Sequence, residues 1–174
     1  SMEFYADKGY NHSGWLSEDG NTYVMCDETV GSRFKVCDVS DLSDIKVTAL
    51  DIPPTFENTV PHNVMLKDGI AYLSYYNDGL QIYDVRDINS PKRIAFYDTY
   101  LDEDTGINVF RGAWGIYALL PSGRLLVSDR KYGLFLLGYN APPIIGVEED
   151  EHGIYPNPVK EAAFFYRKHL FESD

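Results

Sequence analysis

Residues 61–99, PHNVMLKDGIAYLSYYNDGLQIYDVRDINSPKRIAFYDT, carry four short apolar runs separated by three tight turns. Pro61–Lys67, Ile70–Tyr76, Leu80–Val85 and Lys92–Thr99 read as strands, rich in Tyr, Val, Ile and Leu. Asp68-Gly69 and Asn77-Asp78-Gly79 supply the positive φ values that short hairpins need, and Arg86–Pro91 forms the third turn. Four strands joined this closely predict one antiparallel meander.

The unit recurs on both sides. In residues 12–52, His12 falls where His62 falls, Asp19-Gly20 where Asp68-Gly69 falls, and Cys37–Asp41 where Tyr83–Asp87 falls. Its second turn, Glu28–Ser32, is looser than its counterpart. Downstream, GRLLVSDRKYGLFLL at 123–137 lies over GIAYLSYYNDGLQIY at 69–83 without a gap, so Gly69, Ser74 and Gly79 match Gly123, Ser128 and Gly133. A four-stranded unit repeating every ~40–50 residues is the signature of a β-propeller blade. The expected fold is all-β, with blades at about 12–52, 61–99 and 114–139 within residues 1–141.

In the third unit Ile116–Leu120 reads as the first strand, Pro121–Gly123 as the turn, and Arg124–Asp129 and Leu134–Tyr139 as the next two strands. No fourth strand is legible. Pro53–Val60 links the first two units, its prolines excluding a central strand. Residues 100–113 read as an insertion carrying Asp102, Glu103 and Asp104, without the alternating ligand spacing of a calcium loop. Residues 3–10 are expected either to lead in or to supply a closing strand. Residues 142–153 read as an acidic linker and 154–174 as a separate tail.

Composition narrows the function classes. A net charge of −12, with no basic cluster denser than Lys92-Arg93, argues against nucleic-acid binding. Aromatic residues at 14% suit packed sheet faces and exclude a disordered chain. No apolar run reaches 18 residues, so no membrane-spanning helix is expected. No signal-peptide pattern opens the sequence; Ser1-Met2 reads as a tag remnant, which leaves export open. Cys26 and Cys37 lack further ligands at zinc spacing and read as two buried thiols, a cross-hairpin disulfide being geometrically awkward.

His12 and His62 are the leading site candidates. They occupy equivalent places at the start of the innermost strand, which in a propeller lines the channel. Three roles are open to them: bonding backbone between blades, holding a divalent metal together with Asp27 and Glu28, or acting as acid and base. On the repeat alignment the counterparts of Asp27 and Glu28 are Tyr76 and Asn77, both neutral. Trp15 and Trp114 fall near the same rim, where they either stack on a ligand or pack blade against blade; Asn77 joins the ligand candidates. His152 and His169 lie in the tail, and no nucleophile elbow or phosphate loop is present.

The Asp-Val-x-Asp corners in Phe34–Asp41 and Leu80–Asp87 resemble those of LVIVD-repeat β-propellers. Together with NHSGWLSEDG, the run from Pro61 to Val85 and GAWGIYALLPSGRLLVSDRKYGLFLL, they resemble the last blades of the choice-of-anchor B subgroup, over roughly residues 9–139. Tyr155-Pro156-Asn157-Pro158 resembles the start of a type IX secretion C-terminal sorting domain of Bacteroidetes. These resemblances imply an exported or cell-surface protein that engages secretion machinery through its tail. The expectation is a non-catalytic scaffold binding an extracellular ligand, glycan or protein, with a metal-dependent hydrolase or lyase as the alternative. Three blades do not close a ring, so either further blades or a homodimer is expected to complete it.

Overall fold

The computed structural model describes residues 4–51, 53, 58–100 and 110–138. The described residues contain no helix and form three antiparallel sheets. The first is a meander of β1 (Asn11–Leu16), β2 (Thr22–Asp27), β3 (Phe34–Asp38) and β4 (Lys46–Asp51). The second is a meander of β5 (Asn63–Lys67), β6 (Ile70–Tyr75), β7 (Gly79–Asp84) and β8 (Lys92–Tyr97). The third comprises β9 (Ala113–Tyr117), β10 (Arg124–Asp129) and β11 (Gly133–Gly138).

The turn chemistry sits where the sequence puts it. Gly69 has φ +72° and follows Asp68 at +51°, while Gly20 and Gly123 take +76° and +70° at the matching turns. The aspartate corners are structural. Asp38 accepts from the Ser40 amide and hydroxyl, Asp84 from the Arg86 amide, and Asp41 and Asp87 from the amides of Ser43 and Asn89. Val39 and Val85 then donate back to the first hairpin, at Asn21 and Gly69. A bulge recurs at one position of the outer strand pair, between Val36 and Cys37 and again between Ile82 and Tyr83.

The sheets pack face to face around a core in two layers. Val24, Cys26, Phe34 and Val36 of the first sheet meet Val64, Leu73, Tyr75 and Tyr83 of the second. The other face of the second sheet, with Met65, Tyr72, Leu80 and Ile82, meets Ile116, Val127, Phe135 and Leu137 of the third. Trp15 is half-buried against both layers. Cross-sheet hydrogen bonds fix the arrangement: the Phe34 amide donates to Tyr75 Oη over 3.0 Å, and Thr48 Oγ1 to the Ile88 carbonyl over 2.6 Å.

The strand registers make Leu126, Leu134, Leu136 and Tyr117 the third-sheet counterparts of Tyr72, Leu80, Ile82 and Met65. The second-sheet set is buried; in the third, Leu134 and Tyr117 are each 44% exposed and the other two half-buried. The third sheet therefore presents an apolar face of the kind that the second sheet covers.

Two expectations need correction. The first strand of the third unit is Ala113–Tyr117, three residues before the position expected, because the Ala113 amide bonds the Tyr76 carbonyl and starts pairing there. Residues 4–10 form no strand. They run over their own first sheet, where the Gly9 amide donates to Asp27, Tyr10 to Thr29 Oγ1, and the Arg33 amide to Asp7. Cys26 and Cys37 are buried free thiols with no disulfide between them, as expected. The expected acidic cluster at 102–104, the linker at 142–153 and the tail at 154–174 lie outside the described residues.

Candidate functional site

Strand register aligns the blades residue by residue. Asn63 pairs with Ser74, Ser13 with Cys26 and Gly115 with Ser128. One residue upstream, His12, His62 and Trp114 therefore share one blade position. His12 and Trp114 are the extra residues of bulges, since Asp27 pairs with Asn11 and Asp129 with Ala113. A bulge re-aims a side chain at a strand end. Here it turns both rings toward His62, giving His12–His62 and His62–Trp114 centroid distances of 4.4 Å and 4.9 Å.

The same registers equate Asp27 with Tyr75 and Asp129, and Glu28 with Tyr76 and Arg130. This shifts by one residue the alignment expected from sequence, in which Asp27 and Glu28 matched Tyr76 and Asn77. The residue just past each second strand is thus an acid, a phenol and a guanidinium in successive blades. Tyr76 Oη donates to Glu28 Oε1 over 2.5 Å, joining two of the three.

His62 is held firmly. Its ring is 4% exposed, and its Nδ1 lies 2.5 Å from the Trp114 carbonyl oxygen, which also accepts from Ser74 Oγ. A carbonyl only accepts, so Nδ1 carries the proton and Nε2 presents its lone pair. Nε2 faces Glu28 Oε1 at 3.8 Å. Burial pushes the His62 pKa down, and the His12 and Arg130 charges act the same way; the Trp114 hydrogen bond and Glu28 oppose this without reversing it. His62 is therefore neutral at neutral pH. From the other side, His12 Nδ1 lies 3.5 Å from Glu28 Oε2.

One donor atom each from His12, Glu28 and His62 lies within 4.8 Å of the others. Ligands around a tetrahedral zinc with ~2.1 Å bonds stand roughly 3.4 Å apart. The two measured imidazole–carboxylate separations thus need only small rotations to close on an ion. A backbone carbonyl bonded to the other ring nitrogen of a ligating histidine, as the Trp114 carbonyl is to His62 Nδ1, fixes its tautomer and aim.

Tyr76 completes the wall. Its φ of +23° is unusual for a bulky residue, and its carbonyl accepts from Ala113 and Gly79. Burial and the Glu28 carboxylate raise its phenol far above the ordinary tyrosine value, so it stays a proton donor. Gly112, at φ +104°, lies against the Tyr76 carbonyl so closely that a Cβ would collide with it.

The expected site residues separate. His12, His62 and Glu28 converge, and Trp114, 49% exposed, stacks on His62. Asp27 does not join them. It is fully buried and takes Lys35 Nζ at 3.0 Å, together with Tyr5 Oη, the Gly9 amide and Asn11 Nδ2. Trp15 belongs to the core between blades, because it lies on the face of β1 that meets the second sheet. Asn77 is buried in the turn after β6, and no hydrogen bond among the described residues ties it to the histidines. Tyr76 and Arg130 were missed. The signal for them was present: the gapless match of 123–137 to 69–83 lays Arg130 over Tyr76, and only the longer β1–β2 turn of the first blade kept Glu28 from aligning with both.

No family profile matches the chain, and no curated protein matches it. Among solved structures it is similar to a putative 6-phosphogluconolactonase from Bacteroides fragilis, with a TM-score of 0.58 and 16% sequence identity over 79% of this chain. The fold is that of β-propeller blades. The chain spans 37% of that neighbour's length. At this identity the likeness carries the fold and leaves the chemistry to the residues.

Proposed function

We propose that the chain is the ligand-binding part of a β-propeller, in which a divalent cation on His12, Glu28 and His62 captures a ligand where the three inner strands converge. The observation that carries this reading is the gathering of those three donor atoms within 4.8 Å, with the His62 lone pair already aimed inward. Two imidazoles and one carboxylate suit zinc or a neighbouring first-row metal. Three protein ligands leave a coordination position for a ligand atom. That open position also favours a second reading, in which the cation activates water for a hydrolase or lyase reaction.

Zinc titration by calorimetry tests the proposal. One ion per chain is expected, with affinity weakened at least ~100-fold in His62→Ala and in Glu28→Gln, beyond the ~10–100-fold that losing a ligand's hydrogen-bond partner alone costs. No binding by the native protein would overturn it. Zinc-dependent turnover of nitrophenyl esters, lost in Glu28→Gln, would favour the second reading.

Export to the cell surface belongs to the proposal. It is supported by the resemblance of Tyr155–Pro158 to a sorting domain, which would engage the secretion machinery. The partner captured is an extracellular small molecule, glycan or protein. A second copy of the chain seated on the apolar face of the third sheet is supported by the burial of the same positions in the second.

A further inference from the structure

The third blade contributes Arg130 at the position where the first two contribute Glu28 and Tyr76. Its side chain is exposed and directed: Nη1 donates to the Phe110 carbonyl over 2.6 Å, and its backbone amide to the Gly112 carbonyl over 2.9 Å. The Phe110 ring packs edge-on against Tyr76, 5.4 Å between centroids, and Tyr76 bonds Glu28. The guanidinium is thus tied, through two contacts, to the wall of the cation site. Its charge is also felt at His62 and Tyr76.

No carboxylate among the described residues pairs with Arg130. The guanidinium fork is built for a planar oxyanion. On the other side of His62 from His12, the Trp114 ring stands half-open with one flank against His62. Exposed indole surface stacks on flat or ring-shaped molecules.

We infer that the ligand carries an oxyanion, a carboxylate or a phosphate, that bridges the cation and Arg130 while a ring of the same molecule lies on Trp114. This rests on the metal reading of the same mouth and specifies the ligand class. Neutral sugars and peptides without an acid group bind weakly.

Tryptophan fluorescence of the full chain, with and without zinc, tests the inference; Trp15 and Trp114 are its only tryptophans. Glucuronate and glucose 6-phosphate supply the two oxyanions on one ring scaffold, and glucose is the neutral control. At least one anion is expected to quench the zinc-loaded protein at concentrations up to ~50 mM, at least ~10-fold more tightly than glucose. Arg130→Gln is expected to lose that advantage and Arg130→Lys to keep part of it, with thermal unfolding unchanged. Trp114→Phe is expected to remove the quench. Equal binding of glucose, unchanged anion binding in Arg130→Gln, or no anion binding while zinc binds would overturn the inference and leave the cation site standing. Absence of zinc binding in the parallel calorimetry would overturn the cation site and the bridge together.

Discussion

Lys35 and Asp27 form a fully buried ion pair between β3 and the end of β2, with Nζ and Oδ2 3.0 Å apart and neither side chain exposed to solvent. The pair is well satisfied: Lys35 also donates to Ser32 Oγ, and Asp27 also accepts from Tyr5, Gly9 and Asn11. Replacing Lys35 by Met keeps the volume and strands the carboxylate. Breaking one partner of a buried pair costs about 3–5 kcal/mol. At roughly 2–4 °C per kcal/mol for a domain of this size, Tm should fall by about 6–20 °C. In the native protein, burial works to raise the Asp27 pKa, but the Gly9 amide, Lys35 and Asn11 hold it below the ordinary value of 3.8. Its stabilisation is therefore present above that value and is lost as pH falls through the lower folded one. In Lys35→Met burial is opposed only by the Gly9 amide and Asn11, so the carboxyl moves up from its native position. The variant's deficit should then be greatest at pH 7 and shrink toward pH 4, and adding Asp27→Asn should recover much of it. A deficit under ~1 kcal/mol at pH 7, or one that does not change with pH, would refute the reasoning.

Three further outcomes follow from the geometry. Gly112→Ala combines φ +104° with a collision against the Tyr76 carbonyl, so it should cost more than ~2 kcal/mol in urea unfolding and also weaken zinc binding, whereas Gly123→Ala, with open space around it, should leave zinc affinity unchanged. Burial raises both thiols, Cys37 to about 11 and Cys26 higher still, so neither should react with iodoacetamide in the folded protein at pH 8, and both should react in denaturant, as mass spectrometry would report. Leu134→Glu on the exposed face of the third sheet should convert a self-associating species to monomer in sedimentation velocity without lowering Tm; a native protein that is monomeric at high concentration would remove the pairing proposal.

The fold was legible because its signals are local. Asp-Gly turns, the aspartate corners and the Gly69/Gly123 spacing each fix a few backbone angles, and their recurrence fixes the blade. The site was half legible. His12 and His62 stood out because the same residue recurs at the same place. Trp114 stood out only as a rim aromatic, and Arg130, which the gapless match of 123–137 to 69–83 lays over Tyr76, was passed over because the longer β1–β2 turn set Glu28 one residue out of register. Asp27 was assigned to the wrong group for a related reason: strand alternation sends it away from Glu28 to Lys35, a partner that no spacing rule predicts. The start of β9 was set by tertiary pairing with Tyr76, against weak local propensity in the preceding loop.

The central claim is that His12, Glu28 and His62 hold one cation. Crystals grown with zinc, with anomalous diffraction measured on both sides of the zinc edge, test it most directly. A single strong peak is expected about 2.0–2.2 Å from His12 Nδ1, a Glu28 carboxylate oxygen and His62 Nε2. A peak at some other cluster, or a well-ordered His12–Glu28–His62 group with no peak at saturating zinc, would contradict it.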